Sequence, residues 1–170
     1  MEQRQLHPLT HPQQRIWYTE KLHPGTGMWN NAGTLKLQGR VDDARLEEAI
    51  CLFIARTPAL RLRLVEVEGE PRQYVSDVVP QSLEHLDFSD RGVRGLYEWD
   101  AAQSQMPLPL WDSDLYYIAM IRLSPQESGV YIKLHHLISD AMSMIVFCNS
   151  VMALYAALTA NAPLPEVCAS

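Results

Sequence analysis

The sequence predicts an α+β fold, a mixed and largely antiparallel sheet with helices packed on it. Segments with apolar residues at helical spacing interleave with runs that alternate apolar and polar residues. Two pairs of those alternating runs are each joined by a short turn sequence, which makes each pair an antiparallel hairpin. Helices interleaved with such hairpins fit a sheet covered by helices rather than a bundle or a sandwich. At 170 residues, 47% hydrophobic and 20% charged, the chain can form one domain with a full core.

The elements read in order as follows. Thr10 can cap a helix from about His11 to Leu22, with Pro12 in its first turn and Pro24-Gly25 closing it. Asn31 to Leu37 reads as a strand, which Gly39 ends. Asp42 caps a second helix that runs to about Arg56, just before Pro58. Its Leu46, Ala49, Ile50, Phe53 and Ile54 recur at helical spacing, so that face is core. Leu60 to Val67 alternates, and Gln73 to Val75 follows a Glu-Gly-Glu-Pro turn, which gives the first hairpin. A short strand near Leu83–Leu86 precedes Ser89-Asp90, which can open a helix from about Arg91 to Gln105. Pro107 and Pro109 then force an extended connection. Asp114–Leu123 and Gly129–His135 form the second hairpin, and a last helix covers about Asp140 to Thr159. From Asn161 onward the composition is that of a connecting segment.

Net charge is -6 and no basic run occurs, which argues against a nucleic-acid partner. Cys51, Cys148 and Cys168 are odd in number and widely spaced, so a disulfide framework is not expected and a reducing, cytoplasmic compartment fits better. The N-terminal residues lack the apolar core of a signal peptide, and Met1 suggests that the domain opens a polypeptide. Ala141 to Pro165 carries no charge and is nominally long enough to span a bilayer. Ser143, Asn149, Ser150, Thr159 and Asn161 interrupt it, so a helix buried on most sides is expected rather than a membrane segment.

Leu134-His-His-Leu-Ile-Ser-Asp-Ala-Met-Ser143 is the stretch where chemistry concentrates. It joins the last alternating run to the last helix, and packed elements on both sides can hold an imidazole rigidly. Alternation along the strand sends His135 and His136 to opposite faces, so they should do different jobs. An aspartate at this point ordinarily caps the helix, and a strand-end histidine is ordinarily a hydrogen-bonded structural residue. His135 and His136 diverge and no Cys-x-x-Cys pair occurs to complete a ligand set, so no metal is expected.

Three segments, in order, resemble the motifs of the condensation domain of nonribosomal peptide synthetases, a relative of chloramphenicol acetyltransferase. Leu9-Thr-His-Pro-Gln-Gln-Arg-Ile-Trp17 is similar to the opening motif through Gln13, Arg15 and Trp17. Arg56-Thr-Pro-Ala-Leu-Arg-Leu-Arg-Leu64 resembles the second, Arg-His-Glu-x-Leu-Arg-Thr-x-Phe. Arg56, Leu60 and Arg61 match it, whereas Thr57, Pro58, Leu62 and Leu64 depart. His135-His-Leu-Ile-Ser-Asp-Ala141 resembles the signature His-His-x-x-x-Asp-Gly, with Ala141 in place of the glycine. The resemblance covers nearly all of residues 1–170. It implies a chloramphenicol acetyltransferase-like fold of two related lobes, of which this chain supplies the N-terminal one.

The same resemblance implies a function. Such domains join an acyl or aminoacyl thioester to an acceptor amine, each carried on a carrier-protein phosphopantetheine, with no cofactor bound directly. His136 would be the catalytic residue, removing a proton from the amine or positioning it, since a neutral imidazole is available near neutral pH. His135 would be structural. Asp140 would pair with Arg61 and fix the turn carrying His136, rather than act as a triad partner. At Ala141 a role that needs glycine, a positive backbone angle or a close substrate approach, is in question. Partners would be carrier-protein domains, the second lobe and adjacent synthetase domains, with Arg56, Arg61 and Arg63 as carrier contacts where exposed.

Epimerization domains share the double histidine, whereas heterocyclization domains replace it with an aspartate-based motif. A stand-alone His-x-x-x-Asp acyltransferase and a non-catalytic, carrier-binding half-domain are the alternatives. A lobe without its mate should be inactive alone and should expose apolar area that favours self-association.

Overall fold

A computed structural model describes residues 5–166, so Met1 and Cys168 lie outside the described residues. Its largest sheet is built around β7 (Glu127–His135), which pairs antiparallel with β2 (Asn30–Gln38) on one side and β6 (Tyr116–Ser124) on the other. A short β5 (Glu84–Asp87) adds parallel to β6, giving the order β2-β7-β6-β5. Every β7 residue after Glu127 is buried, as a central strand with covered faces must be. Gly129 answers a close approach there, because a Cβ would stand 2.6 Å from the Leu35 carbonyl oxygen of β2.

Alternation along β7 divides its side chains between two cores. Val130, Ile132 and Leu134 face α2 (Asp43–Arg56) and α4 (Ala141–Thr159), where Phe53 and Phe147 meet edge to face at 5.2 Å. Tyr131 instead joins Phe88, Leu96 and Ile121 beneath α3 (Gly92–Gln105). Lys133, only 2% exposed, donates to the Gln103 and Met106 carbonyls at 2.9 Å each. A buried ammonium at the negative end of a helix is a favourable placement.

The helices end where the residues dictate. The Asp42 carboxylate accepts the Arg45 N–H at 3.1 Å to start α2, and all five predicted core positions of that helix are buried. In α1 (His11–Leu22), Gln13 Oε1 turns back to the Thr10 N–H at 2.8 Å. α3 begins within a residue of the expected start, and in the turn before it Asp87 takes both the Ser89 N–H and its hydroxyl.

Three expectations need correction. The expected single sheet is two: β3 (Leu62–Val67) and β4 (Glu70–Val75) join β1 (His7–Pro8) in a separate sheet of order β1-β4-β3. A two-residue β1 is too short to show any period. Leu60 and Arg61 lie in a 3-10 turn, Pro58–Arg61, rather than in the hairpin, because Pro58 fixes the φ of a helical first turn. Finally, α4 is buried on one side only. Phe147, Val151 and Leu154 enter the core, while Met142 and Ile145 are 60% and 52% exposed. By length and composition α4 could cross a membrane, but its inner face is part of this core.

Phe147→Ala should cost about 3–5 kcal/mol by emptying the contact between α2 and α4. Asp42→Ala, remote from that contact, should cost about 1 kcal/mol through the lost cap. Urea unfolding of both variants checks the ranking.

Candidate functional site

The two histidines stand where β7 hands over to α4, and the backbone there is tied from several directions. His135 N–H donates to the Leu115 carbonyl at 2.9 Å, and His136 N–H donates to the Trp29 carbonyl at 2.8 Å. The Ile138 N–H and the Ser139 hydroxyl both reach the His135 carbonyl, each at 3.0 Å. Segments distant in sequence from one another thus converge on a few peptide groups.

The rings differ as alternation suggested. His135 is buried, and its Nδ1 accepts the Leu137 N–H at 3.1 Å. A backbone N–H only donates, so Nδ1 carries no proton and the neutral ring holds its hydrogen on Nε2. Burial first, and the neighbouring His136 second, push its pKa from 6.5 down to about 4. His136 is half-buried, and its Nδ1 stands 3.1 Å from the Ser139 carbonyl oxygen. A carbonyl only accepts, so Nδ1 is the donor, and in the neutral ring Nε2 is a free acceptor. The Trp29 indole and this ring meet edge to face at 6.0 Å between centroids.

His136 lines an open cavity of about 410 Å³ with Thr10, Gln13, Ile16, Leu62 and Gln73. A more enclosed chamber of about 220 Å³ adjoins it through Ala59, Ile138, Asp140 and Ser143, which line both. Phe53, Leu60, Leu134 and Phe147 make its inner wall apolar. An imidazole with a free nitrogen therefore stands at an open cavity that adjoins a second chamber with an apolar inner wall.

The ion pair expected between Asp140 and Arg61 is not formed. Asp140 is the N-cap of α4, and its carboxylate accepts the Ser143 N–H at 2.8 Å and the Ser143 hydroxyl at 2.7 Å. These two bonds hold its carboxyl below the ordinary range. Local capping thus claims the carboxylate, and it makes no hydrogen bond to His136. Arg61 is half-buried in the 3-10 turn and donates from Nη1 to the Ser76 carbonyl at 2.5 Å. That bond ties the turn to the end of β4. Ala141 is the exposed first residue of α4, and positive φ among described non-glycine residues falls only at Glu68, Asp112 and Asn161. No glycine-specific backbone angle is used there. Of the arginines considered for a carrier surface, Arg63 is paired with Asp114 at 2.8 Å, while Arg56 is exposed. Among the described residues no three His, Cys, Asp or Glu side chains gather to hold a metal.

Trp29, Ser139 and Gln73 complete the surroundings of His136 without having been singled out as site residues. Ser139 lies inside the motif and could have been weighed as a carbonyl acceptor for the ring N–H. Trp29 arrives from the turn before β2 and Gln73 from β4 of the other sheet, and neither gave a local signal.

The condensation-domain family model matches residues 3–168, and the chain belongs to that family. Surfactin synthase subunit 1 of Bacillus subtilis (strain 168) is 37% identical over 165 residues, covering 94% of this chain and 5% of that protein. A plipastatin synthase of the same strain is 33% identical over 159 residues, covering 93% of this chain and 6% of its own length. Among solved structures, the starter condensation domain of rhizomide synthetase superposes with a TM-score of 0.88 at 23% identity, over 95% of this chain and 40% of that one. The first condensation domain of the CDA synthetase gives 0.85 at 25% identity, over 96% and 43%. The chloramphenicol acetyltransferase-like fold of condensation domains is therefore present. The chain spans under half the length of each of these relatives.

The depressed pKa of His135 makes stability depend on pH. Unfolded, the ring takes up its proton near 6.5; folded, only near 4. Between those values the unfolded chain binds more protons, so stability falls as pH drops from about 6.5 towards 4 and levels off below. The full loss is about 3 kcal/mol. Urea unfolding between pH 7 and about pH 4.5 should show this slope, and His135→Asn should flatten it.

Proposed function

We propose that the chain is the N-terminal lobe of a nonribosomal peptide synthetase condensation domain and that His136 serves its amide-forming step. The observation that carries this reading is the commitment of His136 Nδ1 to the Ser139 carbonyl, which leaves Nε2 as the acceptor on a ring lining the cavity. The acceptor amine would attack the thioester carbonyl carbon of the donor. As the C–N bond forms, the amine proton passes to Nε2, the C–S bond breaks, and the thiolate leaves with a proton returned from the ring. The Ser139 carbonyl orients the ring and supports the imidazolium, the task an aspartate performs in a triad. Asp140 contributes by capping α4 and fixing the turn. The apolar inner wall of the smaller chamber, Phe53, Leu60, Leu134 and Phe147, supports a place for the non-polar body of the donor acyl group.

Condensation domains work with carrier-protein domains inside synthetase assemblies, and such domains are the partners proposed here. The phosphopantetheine would arrive on them, with no cofactor bound directly by this chain. The second lobe would close the cavity, so the lobe alone should not turn over. Exposed Met142 and Ile145 support self-association of the isolated chain. The free thiols of Cys51 and Cys148 support a cytoplasmic setting.

Condensation between two defined carrier-loaded substrates tests the reading. The chain alone is compared with the chain extended through a second lobe, each with His136 or His136→Ala. Product should come only from the extended form, and the substitution should lower its rate by about 10²–10⁴-fold. Product from carrier-free acyl thioesters alone would instead indicate a stand-alone acyltransferase. A folded extended form with no His136-dependent product across a broad substrate set would indicate a carrier-binding module.

A further inference from the structure

Gln13 and Gln73 lie 60 residues apart, one on α1 and the other on β4, yet their side-chain amides face each other across the floor of the His136 cavity. Gln13 Nε2 donates to Gln73 Oε1 at 2.9 Å, and Gln73 Nε2 donates back to Gln13 Oε1 at 3.0 Å. The remaining N–H of Gln73 reaches the Pro8 carbonyl at 3.1 Å, and that of Gln13 reaches the Leu137 carbonyl, also at 3.1 Å. Gln13 Oε1 further accepts the Thr10 N–H at 2.8 Å. All four amide hydrogens are therefore used.

The orientation of the pair is forced. The Thr10 N–H can only donate, so Gln13 must present its oxygen there and its nitrogen to Leu137. The Pro8 carbonyl can only accept, so Gln73 must present its nitrogen there and its oxygen to Gln13. Either amide reversed would set donor against donor or acceptor against acceptor and leave those groups unsatisfied. A network satisfied at every member defines one geometry rather than several.

Leu137 is the residue after His136, and its peptide groups are held at both ends. Its N–H goes to His135 Nδ1 and its carbonyl to Gln13 Nε2. The His136 ring bond to Ser139 spans this same residue, so a shift of the Leu137 carbonyl moves the two ends of that bond relative to each other. Free backbone at this turn would allow the Ser139 carbonyl to leave Nδ1, and the ring would then exchange between tautomers.

We propose that Gln13 and Gln73 are positioning residues of this site, a reciprocal amide pair that holds the Leu137 carbonyl and so keeps the His136 proton on Nδ1. The pair also fastens the N-terminal segment, through Pro8 and Thr10, to the histidine turn. A catalytic meaning rests on the reading of His136 above. The readout is the ring itself rather than product, so failure of that reading and failure of this one are separable.

The test is ring nitrogen–proton NMR of His136 in this chain, above the pH at which the ring titrates. Gln13→Met keeps the length of the side chain and removes its hydrogen bonds; Gln73→Met breaks the pair from the other side and leaves the Leu137 bond in place. The unaltered chain should show one tautomer with the proton on Nδ1. Gln13→Met should shift the His136 signals to an average of both tautomers, and Gln73→Met should shift them part of the way. Asp42→Ala, a helix-cap loss remote from the site, should lower the unfolding midpoint without moving them. If both glutamine variants fold and keep His136 wholly in the Nδ1–H form, the proposal is overturned. Should Gln13→Met fail to fold, an unmoved His136 pattern in Gln73→Met overturns it alone, and a shifted one upholds it.

Discussion

The site depends on where β7 ends. This strand is buried along all but its first residue, is paired on both sides, and carries side chains into two separate cores. Its register is therefore fixed, because a slip by one residue would exchange the aliphatic face for the one bearing Tyr131, Lys133 and His135. Fixing the register also fixes which histidine is the last buried residue and which is the first beyond the strand. His135 becomes a neutral structural ring because it is inside. His136 becomes available because it is one step further on.

The turn that follows is held by main-chain groups more than by charges. Trp29, Leu115 and Ser139 contribute carbonyls, Leu137 contributes both an N–H and a carbonyl, and Asp140 commits its carboxylate to Ser143. Backbone groups cannot swing away as side chains can, and they need no partner ion whose burial carries a desolvation cost. An ion pair at this place would have fixed the turn at a higher electrostatic cost. The protein uses a helix cap and a carbonyl acceptor, and the imidazole tautomer follows from them.

Much of this was legible in the residues, and what was not has physical causes. The five apolar positions of α2 recur at helical spacing and all are buried, because a single helix face meeting a sheet leaves an unambiguous period. The β6–β7 hairpin and the cap at Asp140 were equally plain, since turn and cap chemistry act over a few residues. The division into two sheets was hidden because β1 is two residues long and its pairing with β4 is purely long-range. The exposed side of α4 was hidden because Met142 and Ile145 look like core residues in any composition. At the site, His135, His136 and Asp140 were evident from one motif, and their opposed faces followed from alternation. The partner assigned to Asp140 was not, since a local cap competes with a distant arginine and wins by proximity. Trp29 comes to His136 from the turn before β2 and Gln73 from β4 of the other sheet, long-range placements that no short segment encodes.

The proposed role of His136 comes down to one claim, that a single free imidazole nitrogen handles the amine proton. The most direct measurement is the pH dependence of single-turnover amide formation in the chain extended through a second lobe, with both substrates preloaded on their carriers. The account predicts that the rate rises with pH along the titration of His136 followed independently by NMR, and that the rising limb disappears in His136→Ala. A rate that ignores the ionisation of His136, in an extended protein that is folded and forms product, would contradict it.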